Sequence, residues 1–464
     1  MRTSPLELEF RLCRALAIVL VVVGAQLVAA QTVTTILNFD GKNGSSPFMG
    51  TFTQGRDGKL YGTTYSGGAN SLGTVFRIGD LTTGTVVVLH SFAGTDGMNP
   101  SAMLTLGTDG NFYGTTTSGG TASSGVLYKI SAGGTYTILH QFAGGSDGSA
   151  PYGPPIEAAD GNFYGTTSGG GVNAATIYKY TRAGVYSVIY TFNSATTGAG
   201  VYGLVQGSDN LLYATANEGG VQSCGTLVRI STSGVVRGTH AFACKGGGPA
   251  TPIAPLIQAS DGNYYGTSQG GGSAQQGSLF QVTPDFKVKT IYSFGVKGQS
   301  AKGPEAGLVQ GTDGNLYGSV PPSQNSDVLF NSTLSGSYST LYTFASGVTT
   351  DAGLLQHTNG MFYGLSQLGG TNSDGFVYSL DMTLGAFVAL VRANGAVGSQ
   401  AQILGQGLTG ATSVTFNGVP ATSISVVSDT YMTAIVPTGA TTGPVVVTTP
   451  GGTLTSNQSF RVIP

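Results

Sequence analysis

Charge is what this sequence has least of. Only 9% of its 464 residues are Asp, Glu, Lys or Arg, and the formal net charge is −2, where soluble domains usually carry roughly a quarter charged residues. So sparse and balanced a surface excludes the basic stripe that grips nucleic acid or an anionic membrane. Tryptophan is absent, which removes the largest ring on which a sugar face can stack. The 4 histidines nowhere bring two imidazoles and a carboxylate to metal-ligand spacing, and no metal or cofactor is expected. Helical periodicity is missing throughout, and 76 Gly with 18 Pro exclude a mostly helical protein. What is present is Gly, Thr, Ser and Asn between short runs of Tyr, Phe, Val and Ile, the composition of short strands joined by tight turns. The regularity of those runs argues against disorder, and a large all-β protein is expected.

The longest apolar run, residues 15–30, contains Gly24 and Gln26 and falls short of the ~20 residues of a membrane span. Arg2, Arg11 and Arg14 precede it, and it ends in Val28-Ala29-Ala30 before Gln31. Residues 1–30 therefore read as a secretory signal peptide cleaved after Ala30, so the mature protein is expected to be secreted or held in the cell envelope, without a membrane span. Of the 3 cysteines, Cys13 leaves with the signal. Cys224 and Cys244 can pair in one way only, in a compartment where disulfides persist. A hairpin turning near residues 233–234 places them within disulfide reach.

The chain repeats itself with a period of about 50 residues. DGKLYGT (57–63) returns as DGNFYGT (109–115), DGNFYGT (160–166), DNLLYAT (209–215), DGNYYGT (261–267), DGNLYGS (313–319) and NGMFYGL (359–365). Each unit has four strand signals: a short apolar run before the Asp-Gly-Asn turn, the phrase itself, a GTVFRI-like third run (73–78) and a TVVVLHSF-like fourth (85–92), in the pattern of antiparallel hairpins. Four strands in such a length are the signature of a propeller blade, so residues 31–392 read as a seven-bladed β-propeller. The Gly after each phrase Tyr is expected to let neighbouring blades approach. TTILNF (34–39) is an orphan fourth strand that can pair with 375–380 and close the ring, with AFVALV (386–391) as its rival for that place.

After about Ala393 the phrase stops, and alternating strands between Asn-Gly, Thr-Gly and Pro-Gly-Gly turns predict a small Ig-like β-sandwich over residues 393–464. The repeats, with their DGNxYGT core, SGG loop and GTVFRI-like strand, resemble the GloVer tandem-repeat family of bacterial exported proteins over residues 33–392. The tail, through Gly405-Gln406-Gly407-Leu408, TSVTFNG (412–418), Val436-Pro437 and GPVVV (443–447), resembles the IPT/TIG Ig-like domain. Neither resemblance implies a defined enzymatic activity; the second implies a binding or spacer unit of surface and exported proteins.

Several motifs have bland readings that outweigh the chemical ones. GQGLTG (405–410) matches G-x-G-x-x-G without a βαβ unit to hold a pyrophosphate. GTSQG (266–270) matches G-x-S-x-G, but Ser268 ends a strand instead of occupying a strand-to-helix elbow. His90, His140 and His240 share one fourth-strand slot and are expected to be structural, with a ring N–H bonded along the sheet, while His357 beside a turn is expected to face solvent. The recurring Asp at 57, 109, 160, 209, 261 and 313 reads as turn chemistry.

What varies between units is loop length. Second-to-third loops (66–73, 118–125, 217–225, 268–277) and blade-to-blade loops (92–100, 142–155, 242–255, 294–304) are long, and up-and-down strands put both on one face, where function is expected. Asp96, Asp147, Tyr152, Glu218 and Glu305 are the candidate binding residues, and no catalytic residue is assigned. The favoured reading is a noncatalytic exported or envelope-associated binding or structural protein whose partner is an extracellular glycan or surface protein. The alternative is a propeller glycoside hydrolase or lyase acting on polysaccharide, which requires two carboxylates facing each other across the central face.

Overall fold

The computed structural model describes residues 31–169, 175–296, 301–321 and 327–463; the predicted signal peptide, with Cys13, lies outside them. The repeat phrase builds the same hairpin each time because its Asp and Tyr hold each other. In the second repeat Asp109 Oδ1 accepts the N–H of Asn111 at 3.0 Å, and Oδ2 accepts the Tyr113 hydroxyl at 2.9 Å. Gly110 supplies the φ of 87° that the turn needs at no steric penalty. The same carboxylate-to-hydroxyl bond joins Asp57 to Tyr61, Asp160 to Tyr164, Asp209 to Tyr213, Asp261 to Tyr265 and Asp313 to Tyr317. In the seventh repeat Asn359 donates to Tyr363 instead, at 3.0 Å.

The protein is all-β. Among the described residues each of the first six repeats forms a four-stranded antiparallel sheet in simple up-and-down order, the seventh supplies three strands of another four-stranded sheet, and the only helix is the single turn Gly145–Asp147. In the second repeat the strands are Thr105–Leu106, Phe112–Thr116, Val126–Ile130 and Tyr136–Gln141. The second strand is buried at every position, whereas the fourth is only half-buried, so first and fourth strands are the edges and the core lies between successive sheets. The seventh sheet consists of Leu354–Gln356, Phe362–Ser366, Phe376–Asp381 and, beside the last, the N-terminal strand Thr32–Asn38. The rival segment turns away: its Ala389–Leu390 pairs with Leu404 and Ile403 of the tail.

Hydrophobic clusters straddle each consecutive pair of sheets, and the cluster of Phe39, Phe52, Leu60, Tyr363 and Leu365 joins the seventh sheet to the first. The phrase tyrosines stack on the next sheet, Tyr61 on Phe112 at 4.0 Å and Tyr113 on Phe163 at 3.8 Å between centroids. A polar seam runs beside them. Gln258 Oε1 accepts Ser208 N at 2.9 Å, Gln310 Oε1 accepts Ser260 N at 2.8 Å and Gln356 Oε1 accepts Thr312 N at 3.0 Å. At the joint Gln54 Oε1 accepts Thr358 N at 3.0 Å. Each of these bonds ties one repeat's turn to the first strand of the next, satisfying a backbone N–H that would otherwise lack a partner.

Two expectations are corrected here. The Gly after the phrase Tyr makes room for an aromatic ring of its own sheet, not for the neighbouring one: a Cβ on Gly62 would lie 2.9 Å from Phe76 and one on Gly114 2.5 Å from the Tyr128 hydroxyl. His357 does not face solvent. It is 2% exposed, its Nε2 bonds the Gly58 carbonyl at 2.9 Å and its Nδ1 accepts Asn359 N at 3.2 Å. It is buried because it pins the seventh turn to the first.

The tail contains two four-stranded sheets around a shared core that includes Ile403, Val414, Phe416, Met432, Val445 and Phe460. It sits on the turn side of the repeats. Gln402 Nε2 donates to the Thr108 carbonyl at 2.7 Å and Thr430 Oγ1 to the Arg56 carbonyl at 2.8 Å, while the Arg56 guanidinium lies 4.7 Å over the Tyr431 ring. Cys224 and Cys244 form a disulfide with Cα atoms 5.4 Å apart.

Candidate functional site on the long-loop face

Because the tail contacts the turns, the long-loop face is the one it leaves uncovered. Its centre can be located from the chain's own register. Second-strand hydroxyls bond the next repeat's carbonyls at equivalent positions: Thr63 to Ala102 at 3.0 Å, Thr115 to Gly153 at 3.2 Å, Thr215 to Ala254 at 3.0 Å, Thr267 to Ala306 at 3.0 Å and Ser319 to Ala352 at 3.2 Å. The residue just before each acceptor occupies one structural slot at the entrance to a first strand: Ser101, Tyr152, Ile253, Glu305 and Asp351. The scaffold around this slot is repeated while its side chain changes.

Aromatic side chains at and beside this slot pack together. The Tyr152 and Tyr202 rings are edge-to-face at 5.3 Å, and Phe48 and Tyr65 likewise at 5.8 Å. Burial pushes the Tyr202 hydroxyl up, followed by Tyr152 and by the carboxylates Glu218 and Glu305; burial and then Tyr65 act on Tyr152 in the same direction. Groups from the first and third repeats, and from the fourth and sixth, thus lie close enough to influence one another. This cluster, called the mouth below, is the candidate site, with a tyrosine wall and an acid wall.

The acid wall is Glu305, Asp327 and Asp351. Asp327 is 3% exposed and committed to structure, accepting the backbone N–H of Thr350 and its hydroxyl, the latter at 2.9 Å. Glu305 accepts Gln269 Nε2 at 2.6 Å, and burial, aided by Asp327, raises its carboxyl above the usual range. Burial first, then Glu305 and Asp327, push Asp351 up to about 7. Among the described residues none of these acids, nor Glu218, has an ion-pair partner, and the hydrogen bonds from Gln269 to Glu305 and from Thr350 to Asp327 offset the desolvation of those two only in part.

Of the five candidate residues, the structure brings Tyr152, Glu218 and Glu305 to this mouth. Asp96 and Asp147 lie apart, beside the outer fourth strands. Asp96 bonds His90 Nε2 at 2.9 Å and Ala93 N at 2.8 Å, and Asp147 bonds His140 at 3.0 Å and Ala143 N at 2.7 Å. The two imidazoles thus bond loop carboxylates, not the sheet, and lie flat on the next repeat's Tyr136 and Tyr186 at 4.0 and 3.6 Å. His240 is half-buried, which lowers its pKa. Asp351, Asp327, Phe48, Tyr65 and Tyr202 were not singled out from the sequence. Aligning the repeats on the slot that holds Tyr152 and Glu305 would have found Asp351; Asp327 belongs to a different slot, and no signal in one sequence marks it.

The two motif matches stay inert. Ser268 is fully buried and shares its hydroxyl with Ser278 Oγ at 2.8 Å and the Gly270 carbonyl at 2.9 Å, and no helix follows either motif. Among the described residues no group of three His, Cys, Asp or Glu side chains could hold a metal ion, and no helix is long and apolar enough to cross a membrane.

Comparison with known proteins gives two family matches, the Gloeobacter/Verrucomicrobia repeat over residues 25–228 and 200–423 and the IPT/TIG domain over residues 389–462. No curated protein matches the chain. Among solved structures it is similar to the periplasmic gluconolactonase of Pseudomonas aeruginosa, with 16% identity over 70% of this chain and 97% of that one and a TM-score of 0.44. It is also similar to a luciferin-regenerating enzyme, with 11% identity over 77% and 97% and a TM-score of 0.41.

Proposed function

As the chain belongs to the Gloeobacter/Verrucomicrobia repeat family and carries an IPT/TIG domain, we propose that it is an exported, noncatalytic binding protein that takes a hydroxyl-rich glycan at the mouth of its long-loop face. In this reading the seven sheets are the blades of a closed propeller, the strand Thr32–Asn38 is the clasp, and the tail is an Ig-like sandwich that serves as a platform. The supporting observation is the juxtaposition of Tyr152 and Tyr202 with Glu305 and Asp351 on the face the tail leaves open. Tyrosine rings offer flat apolar surface with a polar edge. A carboxyl protonated near neutrality can donate a hydrogen bond while its neighbour accepts one, the pairing that vicinal hydroxyls complement. Because hydrogen bonds and ring stacking supply the binding in this reading, affinity should depend little on salt.

A second reading draws on the same two acids. Glycoside hydrolysis uses one carboxyl that stays protonated at working pH beside another that acts as base or nucleophile, and Asp351, pushed up to about 7, has the first property. Both carboxyls are raised, however, and Glu305 is held by Gln269, which favours holding a ligand over cleaving it.

One experiment separates them. Protein of residues 31–464, and its Asp351→Asn variant, is incubated with a panel of cell-wall and extracellular polysaccharides while retention and new reducing ends are both measured. Retention without new ends, weakened in the variant, is expected. Release of ends that the variant abolishes would replace binding by catalysis. Retention of no glycan, or retention unaffected by Asp351→Asn together with Tyr152→Ala and Tyr202→Ala, would dismiss the mouth as the site.

A further inference from the structure

A separate cavity of about 430 Å3 lies on the opposite face, where the turns of the second and third repeats meet the tail. The repeats contribute Thr108 and Arg182 to its lining, and the chain entering and forming the tail contributes Arg392, Asn394, Gln400 and Gln402. Most of these groups are already satisfied. Gln402 bonds the Thr108 carbonyl at 2.7 Å and Arg56 at 2.9 Å. Arg182 pairs with Glu157 and donates to the Gly161 carbonyl at 2.9 Å. Glu157 in turn accepts Thr108 N and Thr108 Oγ1, both at 2.7 Å. Asp160, also in the wall, is held by Asn162 and Tyr164 and lies 3.6 Å from Lys179.

Two groups are left over. The Arg392 side chain is 24% exposed, and its nearest carboxylate oxygen, on Glu157, is 3.9 Å away, outside hydrogen-bond range. That oxygen already serves Arg182 and Thr108. Among the described residues Arg392 has no other side-chain partner. Two positions on, Asn394 Oδ1 is buried with no hydrogen-bond partner. Gln400 beside them makes only a long contact, 3.4 Å to Thr433 Oγ1. A guanidinium largely withdrawn from water with unmet donors, next to a buried amide oxygen lacking a donor, is an incomplete set.

We propose that this cavity is a binding site for a small hydroxylated carboxylate of the uronic acid kind. The carboxylate pairs with the Arg392 fork, one hydroxyl donates to Asn394 Oδ1, and a second reaches the Gln400 amide. Charge decides for an acid over a neutral sugar: Glu157 is the one carboxylate facing both Arg182 and Arg392, while Lys179 offsets Asp160, so one positive charge is left in excess. The volume falls in the range of small-molecule sites, roughly 300–1,000 Å3. Because the walls come from both the repeats and the tail, the bound acid bridges them and stiffens the junction. This site is independent of the mouth.

The test uses protein of residues 31–464, titrated calorimetrically at fixed ionic strength with D-glucuronate, D-glucose and a galacturonate trimer. Saturable binding of glucuronate is expected, with glucose weaker by about tenfold or more and Arg392→Gln weakening glucuronate by a similar factor. Asp285→Asn, in an exposed turn of the fifth repeat that lines neither site, leaves it unchanged. Binding of the monomer identifies a free acid as the source; binding of the trimer alone identifies the residues of a polysaccharide. If Arg392→Gln does not fold, Arg392→Lys, which keeps the charge and loses the fork, and Asn394→Asp, which adds repulsion, must both weaken binding. Absence of saturable binding to either acid by the unaltered protein, equal affinity for glucose, or undiminished affinity in the folded variants overturns the proposal.

Discussion

Asp351 shows how a single residue is set by its neighbours. In an open loop its carboxyl would ionise well below neutrality; here burial, Glu305 and Asp327 hold it at about 7. The folded protein therefore keeps a proton that the unfolded chain has lost between about pH 4 and 7, and stability should decline as pH rises through that window. One pKa unit is about 1.4 kcal/mol, so the full shift costs the fold up to about 4 kcal/mol above pH 7. Asp351→Asn is expected to raise the urea midpoint at pH 8 and leave it almost unchanged at pH 4, flattening the pH profile between. A parallel decline in both proteins would show that Asp351 ionises normally. Tyr152 and Glu305 were legible as candidates because they stand in variable loops, but the coupling of Glu305 to Asp351 was not, since nothing local in the sequence states that the sixth and seventh repeats bring these two carboxyls together.

At the scale of the element, the hairpin around the Asp-Gly-Asn turn was readable because its chemistry is local: the carboxylate, the turn N–H and the tyrosine hydroxyl all lie within five residues. The seam between elements is not local. Gln310 bridges about 50 residues back, accepting Ser260 N at 2.8 Å while its Nε2 donates to Ser260 Oγ at 3.1 Å and the Gly314 carbonyl at 2.9 Å. Gln310→Ala leaves these partners short of a mate and is expected to destabilise by about 1–3 kcal/mol in urea denaturation. Gln310→Glu keeps the acceptor for the Ser260 N–H and should recover part of that loss, as Glu157 does natively toward Thr108 N. Equal losses for both would locate the effect elsewhere than the backbone N–H.

For the whole molecule the decisive feature is the joint. Thr32–Asn38 supplies the fourth strand of the last sheet, Gln54 exchanges two hydrogen bonds with Thr358 at 3.0 and 2.8 Å, and His357 reaches Gly58. Removing residues 32–38 strips a strand from one sheet and uncovers Phe376–Asp381 as an open edge. A melting temperature lower by ten degrees or more, with new aggregation, is the expected result; an unchanged melt would mean that the strand does not close the structure. The tail adds to the joint from the turn side, where Gln406 Nε2 donates to Thr358 Oγ1 at 3.0 Å.

The sequence by itself determined the number of repeats, the strand order within each, the turn chemistry, the disulfide partners and the face on which loops vary. All of these follow from short-range patterns or from a count. Only the tertiary structure decided that Thr32–Asn38, and not residues 386–391, completes the seventh sheet, and that His357 is buried. It alone placed the tail over the turns and gathered Tyr152, Tyr202, Glu305 and Asp351 while leaving Asp96 and Asp147 on the outer strands. These depend on where residues tens to hundreds of positions apart come to rest, and burial, hydrogen-bond satisfaction and charge coupling are properties of that arrangement.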